Sequence, residues 1–364
     1  MTVYNLKLEV LSPIHIGDGY ELKKDFDFVV HNKHTYRLNE DVLLLSKQDL
    51  LKEDSRGQYP PPGKLLLEKD FQNASLFRYV LRGFPRSAKT DARIKSFIKD
   101  VYDQPYIPGS SIKGALRTAL AWSSWKEVSP SLDDLNPTNY WASQPVERQL
   151  FGPDPNHDLL RALQISDLTN NGKPIDNLVL VNAQVLTQKS QGSPIELEAI
   201  PGDITFEGTL KIDEFLFSEI AEPMLHFSKR KHWLDELLPR AQHHSHARII
   251  SLAEWFEHAE ETQNIARFYR DLATSSLKKN QALLQIGWGG GWDSKTYWTY
   301  LQEDPEKFEY MVEKYHLHKS AKDSPPRREG DPFPRSKRAA MGIKDGLAKP
   351  VAPFGWVLLE LTSL

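Results

Sequence analysis

Between Val3 and Leu11 apolar and polar residues alternate: Tyr4, Leu6, Leu8 and Val10 face one way, Asn5, Lys7 and Glu9 the other. A period of two marks a half-buried strand. Ser12-Pro13 stops it, and "HIGDG" at 15–19 reads as a turn. "KDFDFVVHNKHTYRL" has the look of a hairpin with Asn32 and Lys33 at its tip. "NEDVLLLSKQDLLKED" starts a helical stretch, and "SRGQYPPPGKLLL" is loop-like. Ser110 or Ser111 can cap a helix from about Ile112 to Trp125, whose apolar face is Ile112, Ala115, Leu116, Ala119 and Leu120. Three strand candidates follow, "LQISDL", "NLVLVNAQVLT" and "ITFEGTLKI". The turn-rich "QKSQGSPIELEAIPGD" lies between the last two and is expected to project as a hairpin. Residues 212–280 change to helical periodicity, and "GWVLLEL" ends the chain as a strand. This interleaving is that of an α+β fold. It divides into a core over 1–211 with inserted loops, a mainly helical insertion over 212–280, and a completing segment over 281–364.

Composition narrows the function classes. Lys plus Arg number 46 and Asp plus Glu 49 in 364 residues, for a formal net charge of -3. Any nucleic-acid surface must therefore be local. The chain has no cysteine, which excludes disulfides and thiolate zinc sites. "MTVYNLKLEVLSP" lacks the pattern of a secretory signal, and the apolar runs are too short for a membrane span, so a cytoplasmic protein with no membrane partner is expected.

"YIPGSSIKGALRTAL", at 106–120, has the form of a phosphate cradle. Helix N-termini offer unpaired N–H groups and a positive dipole end, and Gly109 permits close backbone approach. Lys113 and Arg117 share one helical face. Cations near an N-terminus oppose the dipole, which a phosphodiester would offset. An ordinary capped helix with solvated charges reads the same residues equally well.

The other constellations carry less. "GGGWDSKT" at 289–296 sits between a strand and a helix pattern and fits a nucleotide P-loop at Gly289, Lys295 and Thr296, but Ser294 replaces the second glycine. Asp25 and Asp27, with Asp18 and His15 nearby, would suit a metal-dependent RNA endonuclease; alternation places both on the strand face opposite Phe26 and Phe28, as solvent-facing residues. His243, His244 and His246 match no zinc spacing and read as a solvated loop. The segment 319–340 concentrates Lys319, Lys322, Arg327, Arg328, Arg335, Lys337 and Arg338 in a loop that suits an RNA backbone or a plain linker. "GSS" lacks the trailing glycine of a serine-nucleophile elbow.

Together these segments resemble the RAMP superfamily of CRISPR proteins. The matching stretches are "LEVLSPIHIGDG", "YIPGSSIKGALR", "LFGPD" followed by "LQISDL", and "IELEAIPGDITFEG", in that order. Within the superfamily, "IGWGGGWDSKT", "FPRSKR" and "PFGWVLLEL" are similar to the family that supplies the fifth subunit of type III-A CRISPR effector complexes (Csm). The resemblance implies an RRM-like, ferredoxin-type core with a thumb-like hairpin in the 1–211 region. It also implies a non-catalytic subunit that binds guide RNA (crRNA), caps the 3′-end side of the assembly and contributes to guide maturation. Its partners would be crRNA, complementary target RNA, the other Csm subunits (above all the repeating backbone RAMP subunit) and host ribonucleases in maturation; no cofactor is implied. The family's first-loop motif falls on His15, Ile16, Gly17 and Gly19. Its helix-start motif falls on Gly109, Ser110, Ser111, Lys113, Gly114 and Arg117. Its late glycine loop falls on Gly287, Gly289, Gly291, Lys295 and Thr296, and Arg335, Lys337 and Arg338 add charge. The thumb arginine of the family is absent from "VNAQVLTQKSQGS", where Lys189 is the sole cation. In the backbone subunit an Asp after the first-loop motif supports target cleavage; no such role is carried over to Asp25 or Asp27.

Overall fold

The computed structural model describes residues 2–86, 91–133, 135–170, 178–187, 190–317, 327–328, 331 and 333–364. Along the chain the strands are β1 (Thr2–Val10), β2 (Gly17–Lys23), β3 (Phe28–His31), β4 (His34–Leu38), β5 (Phe77–Arg82), β6 (Arg93–Phe97) and β7 (Leu163–Ile165). Then come β8 (Val179–Thr187), β9 (Gln191–Ala199), β10 (Thr205–Ile212), β11 (Gln281–Gln285), β12 (Ser336–Lys344), β13 (Leu347–Ala352) and β14 (Trp356–Ser363). The longer helices are α1 (Gly109–Ser123), α2 (Gln144–Phe151), α3 (Leu237–Glu257), α4 (Gln263–Thr274) and α5 (Pro305–Lys314). The fold is mixed α+β.

The first sheet has the order β11-β14-β1-β10-β7 and is antiparallel throughout. β1 sits at its centre because its alternation places Leu6, Leu8 and Val10, all fully buried, on the core side. β14 has no alternation, and the reason is burial on both faces: Val357 and Leu359 join the main core while Trp356 faces the helical layer, its Nε1 donating to the Tyr269 hydroxyl of α4 at 3.2 Å. α1 and α3 pack against each other and on this sheet. The second sheet runs β2-β6-β9-β8-β5-β4-β3, with β12 also paired to β8 and β13 to β12.

The chain crosses between the sheets at Leu11–Ile16. Leu11 and Ser12 donate backbone N–H groups to the Trp356 carbonyl, and Ile14 bridges to Ile200. "HIGDG" is thus not a simple turn. Gly17 already belongs to β2, and a register irregularity between Gly17 and Glu21 lets residues 18–20 bulge away from β6.

Several expected boundaries move. α1 starts at Gly109, and neither serine caps it: the Gly109 N–H donates to the Asp167 carboxylate at 2.8 Å. Most of "QKSQGSPIELEAIPGD" is strand β9, hairpinned to β8. Asp25 and Asp27 lie in the turn between β2 and β3, and it is Phe26 that is exposed while Asp27 is buried. Asn32 and Lys33 do form the β3–β4 tip, both with positive φ. "HHSH" is in the middle of α3. The stretch from Ser336 is strand rather than loop, because Lys337, Ala339 and Met341 turn inward.

Candidate functional site

Three glycine-bearing segments, far apart in sequence, converge on one cleft of about 660 Å³ where the two sheets meet. His15, Gly17 and Gly19 form one wall, Ser110, Ser111 and Gly114 of α1 a second, and Gly287, Trp288 and Lys295 a third. The walls lock directly together: the Trp288 N–H donates to the His15 carbonyl at 2.7 Å. Gly287 permits this, since its φ is +73° and a Cβ there would lie 2.5 Å from that same carbonyl oxygen.

His15 is buried between the rings of Phe97 and Trp288. Its Nδ1 lies 2.7 Å from the Glu198 carbonyl oxygen, which can only accept, so Nδ1 carries the proton. Burial pulls the ring's pKa below the ordinary imidazole value, against the raising influence of that backbone bond. Neutral His15 therefore offers Nε2 as an acceptor. Beneath it the fully buried Glu198 carboxylate accepts from the Tyr79 hydroxyl at 2.7 Å, from the Phe97 N–H at 2.8 Å and from Lys99. This ionic knot joins β5, β6 and β9 behind the cleft.

The α1 wall is made of small residues. Ser110 and Gly114 are exposed, and a Cβ at Gly114 would meet nothing within 4 Å. Gly114 is thus not required by the protein's own packing. Gly109 is its opposite: a Cβ there would sit 2.2 Å from the Ile165 carbonyl oxygen, so this glycine lets β7 approach the helix and does not face the cleft. Lys113 and Arg117 also lie outside the cleft, in a neighbouring groove. Lys113 donates to the Leu163 carbonyl at 2.7 Å, and burial lowers its pKa. Arg117 is held by Asp158 at 2.7 Å and Glu147 at 3.1 Å, and lies 4.1 Å from the centre of the Phe151 ring.

The late glycine loop is no P-loop. Short 3₁₀ turns follow it instead of a helix, and Gly289 serves the approach of Phe354. Thr296 is buried and accepts from the Trp298 N–H at 3.1 Å, while Lys295 is exposed at the cleft. Gly291, with φ +79°, precedes the 3₁₀ turn. Of the basic segment, Lys319, Lys322 and the hairpin's Lys189 lie outside the described residues. Arg327 pairs with Glu309, Arg328 is exposed and Arg335 is half-buried. Lys337 is buried against Asp293 at 2.6 Å, and Arg338 lies over Trp288, 5.2 Å from its ring centre.

Asp25 and Asp27 are not in the cleft. The Asp27 carboxylate is occupied by the Lys23 N–H at 2.7 Å, the Tyr20 hydroxyl and Arg37. Among the described residues no group of three or more His, Asp or Glu could hold a metal ion. Sequence reasoning passed over Lys95, Ser96, Tyr20 and Glu21, which also line the cleft. The signal was present in "ARIKSF", an alternating strand with cations on one face. Lys95 is half neutralised by Glu21 at 3.1 Å.

A model of the RAMP superfamily matches residues 7–292. The chain belongs to the RAMP superfamily. Among RAMP relatives, a protein of Streptococcus thermophilus described as "CRISPR system Cms protein Csm5" is 29% identical over 242 residues, covering 58% of this chain and 65% of that protein, just under two thirds of its length. A protein of Methanocaldococcus jannaschii with the same description is 23% identical, covering 98% of this chain and 89% of its own. The RAMP fold recurs in a chain of the cryo-EM structure of a Csm–crRNA–target RNA ternary complex from a type III-A CRISPR-Cas system, at a TM-score of 0.69 and 24% identity over 98% of this chain and all of that one. It recurs also in the crystal structure of T. onnurineus Csm5, at 0.63 and 22% over 96% and 99%. No described helix is long and apolar enough to cross a membrane.

Proposed function

We propose that this RAMP protein is a non-catalytic crRNA-binding subunit of a cytoplasmic type III-A Csm complex. It caps the 3′-end side of the guide and contributes to guide maturation and assembly, with cleavage left to other subunits and trimming to ribonucleases outside the chain. The observation that carries the reading is the convergence of three glycine-bearing segments on one cleft. Its walls present what sequence-independent RNA recognition uses: small residues that admit a backbone, serine hydroxyls, an imidazole acceptor for a 2′-hydroxyl, and lysines for phosphate. The relatives described as Csm5 and the Csm–crRNA–target RNA complex supply the setting. The first sheet also supports the RRM-like reading: β1-α1-β7 is a split β-α-β unit with β10 between its strands, and β14, reached only after α3, α4 and β11, runs parallel to β10 on the other side of β1.

Gly114→Glu tests the cleft. The position is exposed with open space around it, and glutamate is the better helix former, so the fold should hold. Filter binding of a single-stranded guide-type RNA to the full chain should weaken at least ~10-fold through lost access and added negative charge. Undiminished affinity in a variant with native melting behaviour would remove RNA from this cleft.

A further inference from the structure

The His15 ring is only 2% exposed, yet it lines the cleft. Phe97 and Trp288 both meet it edge-on with ring centroids 6.2 Å away, and its Nδ1 is spent on the Glu198 carbonyl. The ring cannot turn over without giving up that bond, so Nε2 is held in one direction. Nε2 has no hydrogen-bond partner among the described residues, and it is not one of the buried polar atoms closed off from solvent. The way to it runs past Gly17. That residue is exposed, lies in β2 and has no positive φ; the positive φ of the bulge falls on Gly19, at +89°. The backbone conformation therefore does not call for glycine at 17. A Cβ there would come first against Nε2 itself, at 3.1 Å, with Cε1 of the same ring and the Ser96 carbonyl oxygen further off at 3.8 and 3.7 Å. Glycine weakens a strand and often marks a place where a ligand comes close. Here it leaves bare the edge of the imidazole that the protein itself does not use.

A group that docks on Nε2 must donate, because the second nitrogen of a neutral imidazole only accepts. A phosphodiester and a deoxyribose within a strand offer acceptors alone. The ribose 2′-hydroxyl is the donor that an RNA backbone adds. Other cleft acceptors are already engaged: the Glu21 carboxylate by Lys95 at 3.1 Å and Arg93 at 3.3 Å, and the Gln285 carboxamide oxygen by Arg248 at 2.6 Å. Lys295 and the serines of α1 match the phosphate acceptors of the same backbone, and they would do so equally for RNA and DNA. We infer that the cleft selects ribose over deoxyribose, with His15 Nε2 accepting from one 2′-hydroxyl and Gly17 keeping the path to it open. The inference rests on RNA occupying the cleft and adds what distinguishes that RNA from DNA. His15 and Gly17 are specificity-determining residues in it, and no bond is made or broken.

Filter binding to the full chain compares three single strands of one sequence: RNA, its fully 2′-fluoro analogue, and DNA. The fluoro strand keeps a ribose-like pucker and lacks the donor, so it separates the hydroxyl from the shape of the strand. RNA should bind ~3–10-fold tighter than the fluoro strand, the worth of one hydrogen bond to a fixed acceptor. Gly17→Ala covers Nε2 and should bring that ratio close to one by weakening RNA alone, with melting behaviour kept. His15→Phe retains a ring between Phe97 and Trp288 and should bring the ratio to the same value; either variant, once folded, decides. Gly114→Glu separates the two readings. If it leaves RNA affinity unchanged, RNA is not in the cleft and the proposed function fails with this inference. If it weakens RNA while the native protein shows no preference over the fluoro strand, or while the preference survives Gly17→Ala, ribose selection alone is overturned. An equal loss for RNA and the fluoro strand in Gly17→Ala overturns it too, since Gly17 would then admit the backbone and not the hydroxyl.

Discussion

Two glycines of one helix, five residues apart, do opposite work. Gly109 has backbone oxygens of Ile165 and Ser166 inside the space of a Cβ, and backbone cannot give way as a side chain tip can. Gly109→Ala should therefore destabilise the protein by ~1–3 kcal/mol, as overpacking does. Gly114 has nothing within 4 Å and ordinary helical φ, so Gly114→Ala should stabilise by ~0.5–1 kcal/mol. Urea denaturation of both variants reads the contrast; equal effects would mean that the two sites are not distinct. In sequence both belong to one motif, because a glycine kept for internal packing and one kept for outside access look alike. The same limit applies to Lys113 and Arg117. Their spacing put them on one face, but the carboxylates that engage Arg117 come from residues 30 and 41 positions away, beyond any local pattern. Replacing both by alanine would test the α1–α2 packing as much as any RNA contact.

At the scale of the element, α3 explains why "HHSH" read as loop. Its buried stripe runs Leu237, Leu238, Ala241, His244, Ser245, Arg248, Ile249, Leu252, a regular helical pattern in which three positions are polar. Two of them are polar because the stripe faces Leu283, whose carbonyl accepts from Ser245, and Gln285, whose carboxamide accepts from Arg248; His244 packs against the Trp122 ring. β12 has the same history, with Lys337 turned inward to Asp293 in the middle of an apolar face. By contrast β1, apolar on its buried side, was legible in full. The buried His244 has a consequence for acid stability. Burial, with Arg248 and His243 adding to it, holds its pKa well below the ordinary value, and burial does the same more mildly for His15. The unfolded chain takes up these protons as pH falls past about 6.5, while the folded chain resists them. Stability is therefore full above that pH and falls below it, by up to ~1.4 kcal/mol per pH unit for each histidine. Comparing denaturation midpoints at about pH 7.5 and about pH 5.5 should show the loss, and His244→Leu, set against Trp122, should shrink it. An acid limb unaltered in that variant would assign the loss to other groups.

For the whole molecule the question is how a chain of net charge -3 would hold a polyanion, as proposed. Cations in and around the proposed site are largely committed: Lys95 in the cleft to Glu21, Arg117 in the neighbouring groove to Asp158 and Glu147, and the buried Lys337 to Asp293. Lys295, exposed at the cleft, is the cation there with the least to lose by meeting phosphate. Recognition would then rest mainly on shape and uncharged hydrogen bonds, with counterion release a minor contributor. Each phosphate neutralised on a single strand contributes about -0.7 to the slope of log K against log salt. If the cleft contributes two lysines, its share of the slope is only about -1.4. Lys295→Ala should flatten the measured slope by about 0.7, and Gly114→Glu should weaken affinity at every salt concentration, since it also blocks access. The salt series on the full chain therefore separates two ways of binding RNA. A steep slope that Lys295→Ala leaves untouched would place the electrostatic contact elsewhere on the molecule, and a shallow one that flattens further would put it at the meeting point of the two sheets.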